Sequence, residues 1–166
     1  MSEKKKELAL RRATEADCRF LFELRNDKTV RMNSFQTDEI LYEQHEKWLK
    51  RKLASPDSEI YILLLDEVNV GQVRIDVTDG IGEISYALCS EARGHGYSKW
   101  MLAQTEQEMR RTKACRELFA EVKRGNTASR KNFQSLEYRE EPAEFGYCYR
   151  KRIEEQCAKS VRRNEE

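Results

Sequence analysis

Hydrophobic and polar positions fall into short blocks, each with its own period, divided by turn residues. Leu8-Ala9-Leu10-Arg11-Arg12 predicts a short strand. Thr14-Glu15-Ala16-Asp17 has the form of a capping box, and Cys18, Leu21, Phe22 and Leu24 follow at near-helical spacing that fades at Arg25-Asn26-Asp27. Lys28 to Thr37 has no clear period and reads as a loop or a distorted helix. Asp38 is expected to cap a second helix that runs to about Ala54 and stops before Ser55-Pro56-Asp57. Its apolar stripe is Leu41, His45, Trp48, Leu49 and Leu53, with Glu43–Lys47 and Glu46–Lys50 as i,i+4 pairs on the wet side.

The middle of the chain changes period from helical to alternating. Ile60 to Leu65 is apolar on both faces and predicts a buried central strand. After a turn at Asp66–Asn69, Val73, Ile75 and Val77 alternate with Gln72, Arg74 and Asp76 as far as Thr78. Val70 breaks the parity, and Gly71 marks a bulge. Asp79-Gly80 is a turn, and Gly82 to Cys89 completes an expected antiparallel meander. Met101, Leu102, Thr105 and Met109 stripe a helix from about Lys99 to Thr112. Glu117 to Lys123 is the next strand, and a right-handed crossover places it parallel to Gly82–Cys89. Gly125-Asn126-Thr127 opens a short helix with Phe133 and Leu136. One strand starts at Tyr138 and another covers Phe145 to Arg150. Ile153 to Glu166 is charged, without a strong stripe, and reads as a frayed helix or tail. The expectation is an α+β fold: one domain over 8–152, with a mixed, mostly antiparallel sheet of six to seven strands, a central β-α-β unit and about four helices.

Composition narrows the classes. Charged residues make up 37% of the chain but balance to a net charge of +1, so no global field draws nucleic acid or an anionic membrane. There is no membrane-spanning apolar run and no signal-type segment after Met1, which points to the cytoplasm. The five cysteines are scattered, lack C-x-x-C spacing and have only two histidines for company. No metal site is expected, and the thiols read as reduced and mostly buried.

Arg93-Gly94-His95-Gly96-Tyr97-Ser98 carries the most chemistry. It lies between a predicted strand and a predicted helix. Helix-start N–H groups lack internal partners and can bind an anion, and glycine lets the backbone approach closely. The segment is therefore expected to cradle phosphate.

With this order of elements and this turn, the chain resembles the GNAT superfamily of acetyl-CoA-dependent N-acetyltransferases over roughly Leu8 to Arg152. The family motif, Gln/Arg-x-x-Gly-x-Gly/Ala, reads Arg93-Gly94-His95-Gly96-Tyr97-Ser98 here, with Ser98 in the final small position. The resemblance implies that acetyl-CoA is the co-substrate and that Gly94 to Lys99 hold its pyrophosphate. It also assigns Asn126, with Ser129 three residues on, to the pantetheine arm or the helix cap. Relatives often carry a Gly-Phe pair where this chain has Glu137-Tyr138, and many place a tyrosine acid where it has Phe133. The words Leu24-Arg25-Asn26-Asp27, Val30-Arg31-Met32-Asn33-Ser34, His45-Glu46-Lys47-Trp48-Leu49 and Val70-Gly71-Gln72-Val73-Arg74 resemble the branch that acetylates the 4-amino group of UDP-linked amino sugars in the pseudaminic acid pathway. That branch in turn resembles the ribosomal-protein N-terminal acetyltransferases. Family members often form homodimers.

Acetyl transfer needs a neutral amine, a polarised thioester and an acid for the leaving thiolate. The resemblance puts the thioester in a gap between two splayed parallel strands, with N–H groups near Leu88, Cys89 and Ser90 as the oxyanion hole. Glu83 reads either as a base acting through water or as a solvated strand-end carboxylate. His45 reads either as a base or as a buried, hydrogen-bonded histidine. His95 is expected to point outward from the turn. Tyr86 and Tyr138 are acid or pocket candidates, with Tyr86 weighed more as a core tyrosine. Cys89 has no histidine partner nearby, which disfavours a covalent route. Arg25, Asn26, Asn33, Ser34, Trp48 and Arg74 are assigned to the acceptor. The alternatives are peptide amines as acceptors, or a non-catalytic acetyl-CoA-binding module.

Overall fold

The computed structural model describes residues 4–154. Seven strands form one sheet in the order β1-β2-β3-β4-β5-β7-β6. They are β1 (Leu8–Arg12), β2 (Ser58–Leu65), β3 (Val68–Thr78), β4 (Ile81–Leu88), β5 (Glu117–Lys123), β6 (Arg139–Ala143) and β7 (Gly146–Arg152). Every pairing is antiparallel except β4–β5, which is parallel. The helices are α1 (Cys18–Asn26), α2 (Lys28–Asn33), α3 (Tyr42–Ala54), α4 (Tyr97–Thr112) and α5 (Thr127–Ser135).

Strand β2 explains why its sequence is apolar on both faces. Tyr61 and Leu63 join the core beneath α4, with Val73, Ile75, Met101, Leu102 and Met109. Ile60 and Ile62 face the other way and pack against Cys18, Leu21 and Leu49 of α1 and α3. Helices on both faces therefore cover a sheet whose central strand must be greasy throughout.

The bulge lies where the parity break predicts it. Leu63 pairs with Gly71 and Leu64 with Asn69, so Val70 is the extra residue. Gly71 is required by close approach: a Cβ there would lie 2.5 Å from Leu88 Cδ2 and 2.9 Å from the Ala87 carbonyl.

Several expectations change. Helix α3 begins at Tyr42 and has Leu41, not Asp38, at its N-cap. The reason is Asn26, whose amide donates to the Ile40 carbonyl at 3.0 Å and accepts from its N–H at 2.9 Å, holding that stretch extended. Leu41 is 68% exposed and leaves the apolar stripe. The aperiodic stretch after Asp27 contains a short helix, α2, because the Asp27 carboxylate caps it by accepting from the Val30 N–H at 3.0 Å. Helix α4 starts two residues early, at Tyr97, directly after Gly96 in the left-handed region. Of the two i,i+4 pairs, only Glu46–Lys50 forms, at 3.9 Å.

Cys18 and Cys115 are buried, while Cys89 and Cys148 are half-buried. Cys157 and the expected tail from 155 onward lie outside the described residues. Ile153, placed at the start of that tail, is 2% exposed and belongs to the main core. Among the described residues, no helix is long and apolar enough to cross a membrane.

Candidate active site

The site begins where β4 and β5 part. Their parallel pairing covers only Ile81, Gly82 and Glu83 against Glu117, Leu118 and Phe119. Beyond Glu83, β4 stays with β3 while β5 stays with β7, and a cleft of about 430 Å³ opens between them.

The backbone at this gap decides which amides are free. Cys89 N–H donates to the Val70 carbonyl at 2.8 Å, so it is spent within the sheet. This corrects the expectation that the Cys89 N–H belongs to the oxyanion hole. Amides alternate sides along a strand, so those of Leu88 and Tyr86 point away from β3 into the gap. The Leu88 carbonyl confirms the direction, because it accepts from Arg93 Nη2 at 2.9 Å across the gap side. Ser90 is exposed and opens a short 3₁₀ turn (Ser90–Ala92). Burial first, and then Glu91, raises the Cys89 thiol above its ordinary range, which disfavours a thiolate.

The glycine turn has the geometry an anion needs. Gly94 and Gly96 lie at φ +80° and +78°, and no atom stands within 4 Å of a Cβ built on either. The space above them is open, and α4 starts immediately beyond, with a positive N-terminal end. A pyrophosphate fits such a cradle. Arg93 turns inward, with Nη2 on the Asp27 carboxylate at 2.9 Å and on the Leu88 carbonyl. It ties α2 to β4 and to the cofactor turn. His95 is exposed and stacks on Tyr97 at 5.3 Å, as its outward position predicts. Lys99 is exposed and stands outside the cleft lining.

Helix α5 forms the other wall. Asn126 lines the cleft and caps the helix by accepting from the Ser129 N–H at 3.3 Å. A side-chain chain runs across from here: the Asn132 amide donates to Ser98 Oγ at 2.9 Å and to the Tyr86 hydroxyl at 3.1 Å, and Tyr86 also bonds Ser129 Oγ. Ser98 therefore faces Asn132 and the cleft, which explains why a small polar residue suits that position.

A second chamber of about 390 Å³ adjoins the first and shares Val30, Ser34, Arg74, Ser85, Tyr86 and Ala87 with it. Arg25 and Arg74 line it together with Gln36, Gln44 and Gln72, and no carboxylate is among its lining residues. Arg25 donates to the Gln36 carbonyl at 3.0 Å, yet its buried Nη1 has no partner. Burial first, and then the charges of Arg74 and Arg31, push its pKa down. The chamber thus holds surplus positive charge. Arg74 lies over the Trp48 ring at 5.0 Å and bonds Asp76 through Nε. His45, 5% exposed, stacks on Trp48 at 5.3 Å, and its Nε2 is buried without a partner. Burial, and then Arg25, lower its pKa, so the ring is neutral at neutral pH.

The remaining residues divide clearly. Glu83 is exposed at the vertex of the gap, and Glu121 across from it has its pKa raised by burial and then by Glu83. Asn33 and Ser34 line the cofactor cleft. Asn26 lines neither space, because both ends of its amide are spent on Ile40. Tyr138 is also away from both: it packs on Phe133 at 5.0 Å with its hydroxyl buried and unpartnered. Burial and Glu106 raise its pKa far above the ordinary value. Asn132, Asp27 and the chamber glutamines escape a sequence reading, because only the folded chain brings them to the gap. Tyr86, weighed as core, stands between the two spaces. Among the described residues, no group of three or more His, Cys, Asp or Glu side chains is placed to hold a metal ion.

The acetyltransferase (GNAT) domain profile matches residues 7–139, and the chain belongs to that family. It is an acetyltransferase that moves acetyl from acetyl-CoA to an amine. Solved structures share the fold. A Salmonella typhimurium protein solved with acetyl-CoA is 17% identical, with 93% of this chain and 99% of that one covered at a TM-score of 0.75. A ribosomal-protein-alanine N-acetyltransferase from Brucella melitensis is 22% identical, with 87% and 99% covered at 0.74. A spermidine N-acetyltransferase from Vibrio cholerae, in complex with CoA and spermine, is 13% identical, with 86% and 92% covered at 0.77. A sequence search of curated proteins finds no match.

Proposed function

We propose that the acceptor is the 4-amino group of a nucleotide-linked amino sugar. The observation that carries this reading is the chamber beside the thioester gap, which holds Arg25 and Arg74 and is lined by no carboxylate. Such a chamber favours an acceptor bearing phosphate and disfavours a polycation. The amine approaches through the wall shared by the two spaces and attacks the thioester carbonyl directly. Leu88 and Tyr86 N–H groups receive the developing oxyanion. Such preorganised donors contribute about 2.7–4 kcal/mol each in comparable sites. His45 Nε2, neutral and unpartnered, takes the amine proton, with Glu83 at the vertex as the alternative base through water.

A peptide N-terminus is the second reading. Met32, Phe35 and Phe145 are exposed apolar side chains, and Phe35 lies in the cleft lining, a rim that suits a peptide. Thiol release from acetyl-CoA is to be measured with UDP-4-amino sugars, peptides with free N-termini and spermidine. Release dependent on the nucleotide sugar, and lost in Arg25→Gln, supports the proposal. Release with peptides alone overturns it.

A further inference from the structure

We propose that Tyr86 is the catalytic acid that protonates the departing thiolate of coenzyme A. Tyr86 lies where the cofactor cleft adjoins the acceptor chamber. Its hydroxyl stands at the α5 wall of the cofactor cleft, against Ser129 and Asn132, which line that cleft with it. The other hydroxyls on the cleft belong to serines and to Thr29, aliphatic alcohols that are far weaker acids. Tyr138 and Tyr149, the buried tyrosines that pack on Phe133 of α5, lie outside both spaces.

The surroundings of Tyr86 fit the task. Asn132 donates to its oxygen at 3.1 Å, and Ser129 Oγ stands in hydrogen-bond contact on the helix side. With Ser129 donating as well, the phenol oxygen receives two bonds and its own proton is free to face the cleft. The same two donors stabilise the phenolate that forms when the proton leaves. An ordinary tyrosine ionises near ~10 and an ordinary thiol near ~8.5, so these donors reduce the mismatch for proton transfer. Burial keeps the phenol protonated beforehand, and Ser129 and Asn132 oppose that effect. Asn132 also bonds Ser98, so the acid is tied to the start of α4.

The step balances. The amine nitrogen forms a bond to the acetyl carbon, and the carbon–sulfur bond breaks with its electron pair going to sulfur. The Tyr86 proton moves to sulfur and leaves free coenzyme A thiol. The proton lost by the amine goes to the base, and exchange with solvent restores the phenol. Acceptor identity does not enter.

The test titrates the full chain with coenzyme A, reading thiolate ultraviolet absorbance, and subtracts the complex with desulfo-coenzyme A to remove the protein's own cysteines. A phenol that donates to the thiolate lowers the ionisation of the bound thiol. In Tyr86→Phe that ionisation should rise by about one pH unit or more, from the usual strength of a hydrogen bond to a charged group. Coenzyme A affinity below the thiol's ionisation should not change. With whichever amine the enzyme accepts, kcat should fall about a hundredfold or more, with little change in KM. An identical thiol titration in the two complexes overturns the proposal, and so does an unchanged kcat. Because the titration needs no acceptor, it holds even where the nucleotide-sugar reading fails.

Discussion

A neutral imidazole packed between Trp48 and Phe22 with a buried, unpartnered Nε2 is costly unless it is used, and His45 is among the residues that line the acceptor chamber. Burial and Arg25 depress the His45 pKa in the folded chain. The unfolded chain binds its proton near ~6.5, the folded one only at lower pH. The stability linked to His45 is therefore complete above about pH 6.5 and drains as pH falls towards the folded value. His45→Gln should flatten that acid loss in urea unfolding measured across pH. It should also remove the acidic limb of kcat/KM, which in the wild type lies below about 6.5. A variant that keeps the wild-type limb would hand the base role to Glu83. Gly96 gives a second test. Its φ of +78° strains any side chain by about 1–2 kcal/mol, but the space above it is open. Gly96→Trp should fold with a modestly lower Tm, and calorimetry should find acetyl-CoA binding abolished because the indole occupies the anion's place.

Short elements carry the link between the two spaces. Asp27 caps α2 and, through the same oxygen, holds Arg93 of the cofactor turn. Burial alone would raise its pKa, yet the Val30 N–H and Arg93 hold it below the usual carboxylate range. Asp27→Asn keeps a capping side chain but discharges the pair. Both partners are about a third exposed, so the stability lost should stay below about 1 kcal/mol. Asp27→Ala should lose about 1 kcal/mol more through the missing cap, read from denaturant midpoints. Both variants should raise the KM for acetyl-CoA, because Arg93 no longer anchors the turn. Helix α2 also shows where a sequence reading fails. Its six residues have no apolar period, and only the folded position of Asp27 starts it. The long elements were legible: alternation gave β3 and its bulge at Val70, and the stripe Met101, Leu102, Thr105, Met109 gave α4. The glycine turn was legible for the same reason, being local chemistry at fixed spacing. Tyr86 was harder to place, because its strand parity matches that of core residues and its role depends on Ser129 and Asn132, distant in sequence.

The two halves of the sheet meet through only the short Ile81–Glu83 and Glu117–Phe119 pairing, and past it each half is held by its own neighbours. A ligand that lies in the gap and bonds both walls must couple them. At a concentration of acetyl-CoA near 100 Kd, the folded state gains about 2.7 kcal/mol. For a domain of this size that corresponds to a Tm rise of roughly 5–10 °C. Hydrogen exchange resolves which amides take part. Leu88 and Tyr86 N–H groups face the open gap, so their exchange should slow when the thioester carbonyl arrives. Cys89 N–H is already committed to Val70, so its exchange should follow only the global stabilisation. Specific protection at Leu88 locates the oxyanion hole on the free edge of β4. Specific protection at Cys89 instead would require the Val70 bond to break on binding, and the gap would then be a site rebuilt by its ligand rather than one already formed by the fold.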